Sequence, residues 1–157
     1  MRKSFLITAL AALGSVALLS GCADNGEGAV SEEAAEAIEY RQGAFQVIRW
    51  HFAPMGGMVQ GEIDYDADLF ARNAERVARV APMVLEGFAG KEQSHIGSDS
   101  LAAIWEDWTT FEQGMNQFEE RAEILAEAAQ SGDLDEIRPK FQDVAESCKA
   151  CHDNFRD

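Results

Sequence analysis

Cysteine is scarce in this 157-residue chain, with three in all, and so are proline (three), histidine (three) and tyrosine (two). Two cysteines sit together near the C-terminus and the third stands alone at position 22. There is no second pair to build a four-cysteine zinc site, and nothing is left over for a disulfide framework. Positive charge is also short: 13 Lys and Arg face 28 Asp and Glu, a formal charge of −15. Such a surface repels nucleic acid and anionic lipid headgroups. It would suit a basic partner, although an acidic excess is more often a solvated face. No stretch alternates apolar and polar residues with period two, which argues against a sheet protein. The longest apolar run, Phe5 to Leu19, is too short to span a bilayer comfortably.

That run has another reading. Arg2 and Lys3 precede it and small residues end it, the pattern of an export signal over residues 1–21. The end, Leu19-Ser20-Gly21-Cys22, resembles the lipobox of bacterial lipoproteins, in which Cys22 is acylated and becomes the mature N-terminus. The plain alternative is an ordinary cleaved signal with a free Cys22. Residues 22–30 read as a flexible tether and 31–157 as one domain. Without Arg2 and Lys3, 11 basic residues (13 less two) remain against 28 acidic ones, a formal −17.

The residues with the most chemistry are Ser147-Cys148-Lys149-Ala150-Cys151-His152. Two cysteines three apart, followed at once by histidine, form the attachment site of a c-type haem. Each thiol adds across one vinyl group of the macrocycle. On a helix Cys148, Cys151 and His152 share one face, so the imidazole can bind the iron that the cysteines hold. Zinc would need a further ligand from His51, His95 or a carboxylate. A thioredoxin-like pair wants a helix N-terminus, whereas this pair closes a predicted helix. A plain disulfide is the remaining alternative.

Helical periodicity predicts four helices. The first starts at Ser31 and turns Ala34, Ala37, Ile38, Arg41, Phe45, Ile48, Phe52, Met55 and Val59 inward, with Pro54 kinking or ending it and Gly56, Gly57 and Gly61 marking its exit. Asp64 or Asp66 caps the second, whose inward face runs from Leu69 to Phe88 and in which Pro82 predicts a bend or break. The third opens at Asp99-Ser100 and carries an aromatic run. Gly132 ends it, and Asp133 with Glu136 makes an aspartate version of the capping box for the fourth. Short links make an antiparallel up-down four-helix bundle the simplest all-α fold.

In that bundle the last helix runs antiparallel to the first, so His152 faces Arg41 and Phe45. A guanidinium on an apolar stripe needs an anion or must snorkel outward; a haem propionate would serve as the anion. Met55 lies ten residues beyond Phe45, about 15 Å along the helix, and Met58 further still. Met83 is at the right level and is the candidate sulfur ligand. Phe45 has no lone pair, so the expectation is a five-coordinate, high-spin iron with an apolar, crowded far side. No acid–base residue is expected there, which argues against a peroxidase. His51 and His95 are expected to face solvent.

These residues resemble the cytochrome c′ family, the class II c-type cytochromes, over essentially all of 31–157. The likeness is carried by Tyr40-Arg41-Gln42 with Phe45, His51-Phe52, Ile104-Trp105, Gly132-Asp133-Leu134-Asp135, and Ser147 to Asp153 with Phe155-Arg156. The resemblance implies a periplasmic four-helix bundle, often a homodimer through its first two helices, with one covalent haem c at Cys148 and Cys151 and axial ligation by His152. It implies haem contacts from Arg41 and Gln42, Phe45 as the distal residue, Arg156 beside the proximal histidine, and Asp99 at the haem edge. It implies nitric oxide and carbon monoxide as small diatomic ligands, and electron transfer with a redox partner protein. A low-spin, methionine-ligated c556-like branch is the alternative. The lipobox departs from the freely soluble members.

Overall fold

A computed structural model describes residues 30–90 and 92–157. The expected signal peptide and Cys22 lie outside the described residues, as does the tether apart from Val30. The chain forms α1 (Glu32–Gln60), α2 (Ala67–Glu86), a short α3 (Ala103–Glu106), α4 (Trp108–Ala128) and α5 (Leu134–Phe155). Single 3-10 turns lie at Glu92–His95 and Ala129–Ser131. The four long helices are the bundle read from the sequence, and no strand is present among the described residues.

Local chemistry sets most of the ends. Ser31 Oγ accepts from the Ala34 N–H at 3.1 Å, and Asp66, rather than Asp64, caps α2 through Leu69 N–H at 2.8 Å. Gly61 closes α1 and Gly132 ends the turn before α5, both with left-handed φ near +70°, where a Cβ would be strained. Asp133 caps α5 by accepting from Asp135 N–H at 2.9 Å, one residue short of the capping-box position expected with Glu136.

Neither Pro54 nor Pro82 ends its helix, and the opening of the third helix moves. α1 runs two turns past Pro54 and α2 a turn past Pro82. The lost backbone bond is outweighed by what the following turns bury: Met55, Met58 and Val59 in α1, Val84 in α2. Gly56 and Gly57 therefore lie inside α1, where a Cβ on Gly56 would touch Phe141 at 3.5 Å. The third helix does not open at Asp99-Ser100. Those residues pair instead with the C-terminal tail, Ser100 bridging Arg156 antiparallel. A four-residue helix follows, and Asp107 (φ −127°, ψ 57°) breaks it before capping α4 through Thr110 N–H.

α1 packs on α2, α2 on α4, and α4 on α5, each pair antiparallel in sequence order. α1 and α5 meet at one end only. There Phe52 stacks on Phe141 with centroids 4.5 Å apart, and Arg138 donates to the Val59 carbonyl. Met55, Phe70, Val77, Leu125, Ile137 and Val144 fill the centre and are almost fully buried. Each is worth about 1.5–3 kcal/mol relative to exposure. Towards the other end, the first half of α1 and the last half of α5 draw apart. The site lies between them.

Candidate functional site

The space between the separated helix halves is a cavity of about 880 Å³. α1 supplies one wall with Arg41, Gln42, Phe45, Ile48 and Phe52; α5 supplies the opposite wall with Cys148, Cys151, His152 and Phe155. Phe111, Met115 and Phe118 of α4 form the back, and Ser98, Asp99, Ser100 and Arg156 border one edge. Every residue expected at the site within the described residues therefore borders one space. Phe45 explains the logic. It belongs to the inward stripe of α1, yet it is 37% exposed, because it borders the cavity, where its ring meets Phe88 edge-on at 6.4 Å.

Burial sets the charge state of the α5 wall. It pushes the Cys148 thiol up, and it pushes Cys151 up to about 11, with the neighbouring Cys148 adding to the effect. Both side chains are therefore neutral thiols over the ordinary pH range. Burial also lowers the His152 pKa, the guanidinium of Arg156 lowers it further, and Asp153 opposes them. A neutral imidazole is the form that binds a metal. Arg121 supports this stretch from α4. Its Nη1 donates to Ser147 Oγ at 2.7 Å and to the Asp143 carbonyl at 3.0 Å, pinning α5 just before Cys148.

Arg41 is buried to 2% exposure, and it does not snorkel. Its Nη1 donates to Ser94 Oγ at 2.7 Å and to the Gly87 carbonyl at 3.4 Å; its Nη2 donates to the Ser94 carbonyl at 2.5 Å and to Ser98 Oγ at 2.9 Å. The guanidinium lies 4.6 Å over the Phe88 ring and 6.0 Å from that of Trp105. Four neutral acceptors thus take its donors, but they supply no negative charge, and burial lowers its pKa. An anion at the cavity edge would supply it.

Other expectations move. Met83 is 46% exposed and does not border the cavity, so it is no candidate ligand; Met55 and Met58 lie in the core. The methionine on the wall is Met115, on α4. His51 is half-buried and shares a 3.0 Å hydrogen bond with the buried Asn73, and His95 is half-buried beside Trp105, so neither simply faces solvent. Asp99 and Arg156, placed separately by the sequence, form an ion pair at 3.1 Å. Arg49, exposed, borders both the cavity and a shallower groove between α1 and α2.

The walls suit a flat apolar macrocycle. Two glycines within helices, Gly43 on α1 and Gly114 on α4, border the cavity, and a Cβ at either meets no protein atom within 4 Å. Glycine inside a helix costs about 1 kcal/mol relative to alanine. Packing between helices does not require it at these two positions, and the bare backbone leaves the cavity wall open there.

Comparison with known proteins agrees with the geometry. A family model for cytochrome c′ matches residues 36–156. The chain is 42% identical over 129 residues to cytochrome c′ of Halomonas halodenitrificans, covering 79% of this chain and 98% of that one. It resembles the solved cytochrome c prime of Shewanella frigidimarina with a TM-score of 0.76 at 41% identity, covering 81% and 98% of the two chains. It also resembles a nitric oxide complex of a variant cytochrome c prime from Alcaligenes xylosoxidans, with a TM-score of 0.72 at 35% identity over 79% and 96%. The chain belongs to the cytochrome c′ family, helical-bundle proteins that carry one covalently bound haem c per chain.

Proposed function

We propose that this chain is a periplasmic gas-binding haem protein with five-coordinate, high-spin iron, also able to pass single electrons. Cys148 and Cys151 would anchor the haem as thioethers, and His152 would be its axial ligand. When bound, the haem supplies an iron with one open position for a small diatomic ligand. The protein's part is to hold the imidazole neutral, to exclude water with aromatic walls, and to restrict the open position. Arg41 would balance a propionate, with Gln42 beside it and Asp99 and Arg156 at the cavity edge.

One observation carries the reading. The α1 wall facing Cys148 and His152 presents Phe45, and none of the methionines weighed as ligands borders the cavity. A ring there blocks without ligating, so only a small ligand that displaces it could bind. The nitric oxide complex of the Alcaligenes relative supports the same ligand class. Spectra of the ferrous holoprotein with and without nitric oxide or carbon monoxide test it. High-spin bands that respond to the gas are expected; a low-spin spectrum indifferent to gas would overturn it.

The second reading, a low-spin electron carrier, is favoured by Met115. It borders the cavity from α4, the helix that packs on α5. The partners proposed are the gas and a redox protein drawn to the acidic surface. A homodimer through α1 and α2 is supported by Trp50, which is 77% exposed, and by Val47 on the same helix. Acylation of Cys22 would tether the protein to a membrane, and it rests on the lipobox alone.

A further inference from the structure

α1 and α5 face each other across the cavity with almost no direct contact at that end, and through the bundle they are joined only indirectly, by way of α2 and α4. Residues 94–101 run from one wall to the other. At the α1 side, Arg41 donates to Ser94 Oγ, to the Ser94 carbonyl and to Ser98 Oγ. Ser98 is the junction. Its hydroxyl oxygen also accepts from Ser100 N–H at 3.3 Å, while its proton goes to the Ser94 carbonyl at 3.0 Å or that of His95 at 3.2 Å. At the α5 side, Leu101 N–H donates to the Phe155 carbonyl at 3.0 Å, Asp157 N–H to the Asp99 carbonyl at 2.9 Å, and Arg156 pairs with the Asp99 carboxylate.

We propose that residues 94–101 are a strap coupling the two walls, with Ser98 and Asp99 as positioning residues that fix Arg41 on one side and Arg156, beside His152, on the other. Polar links run around the open edge of the cavity from Arg41 to Ser98, from Ser98 to Ser100 N–H, and from the intervening Asp99 to Arg156. The strap is light. The ion pair is more than half exposed at both ends and contributes little stability by itself. Its effect is on geometry: Arg156 N–H donates to the His152 carbonyl at 3.3 Å, and the Asp99 carboxylate holds the Arg156 guanidinium. The inference concerns coupling through protein contacts and stands apart from which ligand the iron takes.

The test uses the full-length holoprotein and its Ser98→Ala and Asp99→Asn variants. Amide hydrogen exchange is followed at 94–98 and at 155–157, and the iron–histidine vibration of the ferrous form is recorded. Coupling predicts that each variant raises exchange at both ends by a similar factor, about three- to tenfold for about 1 kcal/mol of lost closure. It also predicts that Ser98→Ala shifts the vibration, although Ser98 touches neither His152 nor Arg156. Exchange that rises only on the mutated side would overturn the strap. Coupled exchange with an unmoved vibration would overturn the positioning role of the two residues. A parent holoprotein with no iron–histidine band would instead refute five-coordinate ligation by His152, and the exchange result alone would then decide the strap.

Discussion

Gly87 sits where α2 ends, with φ −76° and ψ −2°, a conformation open to any residue. By backbone preference alone, Gly87→Ala should stabilise the protein by about 0.4–1 kcal/mol, because the unfolded chain loses freedom. Packing opposes this. The new methyl would lie 2.8 Å from Arg41 Cβ, 3.1 Å from Tyr40 Cδ1 and 3.4 Å from Arg41 Cα. The nearest atoms belong to the frame of α1 rather than to the tip of a flexible side chain, so the helices themselves must part. Overpacking of this kind costs about 1–3 kcal/mol. The net expectation is a loss of about 1–2 kcal/mol, which for a domain of this size lowers Tm by roughly 5 °C. Thermal unfolding of the holoprotein followed by circular dichroism measures it. Equal or higher stability would refute the argument that α1 is clamped against the end of α2 at Arg41.

Phe45→Met should bring a sulfur to the far side of the iron and shift the absorption spectrum towards low spin, whereas Met115→Leu should leave the spin state as it is; the reverse pair of results would transfer the ligand role to Met115. In haem-free chain, the Cys151 thiol, pushed up from 9 to about 11, favours the fold fully below pH 9. That contribution, about 2–3 kcal/mol at most, is lost as pH rises from 9 to 11. The urea midpoint should fall across that window in haem-free protein, and this component should vanish in Cys151→Ala. Trp50→Ser should lower the sedimentation-derived mass towards that of one chain if α1 and α2 form the proposed dimer, with a change in Tm of less than a few degrees for so exposed a side chain.

What the sequence could show depended on how far apart the interacting residues lie. Caps and turns such as Ser31, Asp66 and Gly132 act within three residues, and they were legible. So was the level at which Arg41 and Phe45 meet the last helix, because a bundle of antiparallel helices converts sequence position into height. The partners of Arg41 lie 46–57 residues away in a loop, so periodicity could mark the guanidinium as odd but could not say what satisfies it. Asp99 and Arg156 are 57 residues apart and neither has a local partner that predicts the ion pair. The break at Asp107 was hidden although its bond to Thr110 is local, because Trp105, Trp108 and Phe111 carry the apolar spacing across it. Met115 shares the helical spacing of its core neighbours, and only the open space beside it distinguishes it. Gly43 and Gly114 stand out in the sequence as unfavourable residues within regular helices, but the open wall that they border appears only in the folded chain.

The tail that closes the cavity edge is held by a few backbone bonds and one solvent-exposed pair of charges. Segments held so lightly open far more often than the core does. The thiols at 148 and 151 lie just inside that opening, while the aromatic contacts between Phe52 and Phe141 lock the opposite end. Assembly therefore has a direction. The bundle can set from its closed end while the other end stays accessible to a large planar guest, and fastening 155–157 to 99–101 comes last.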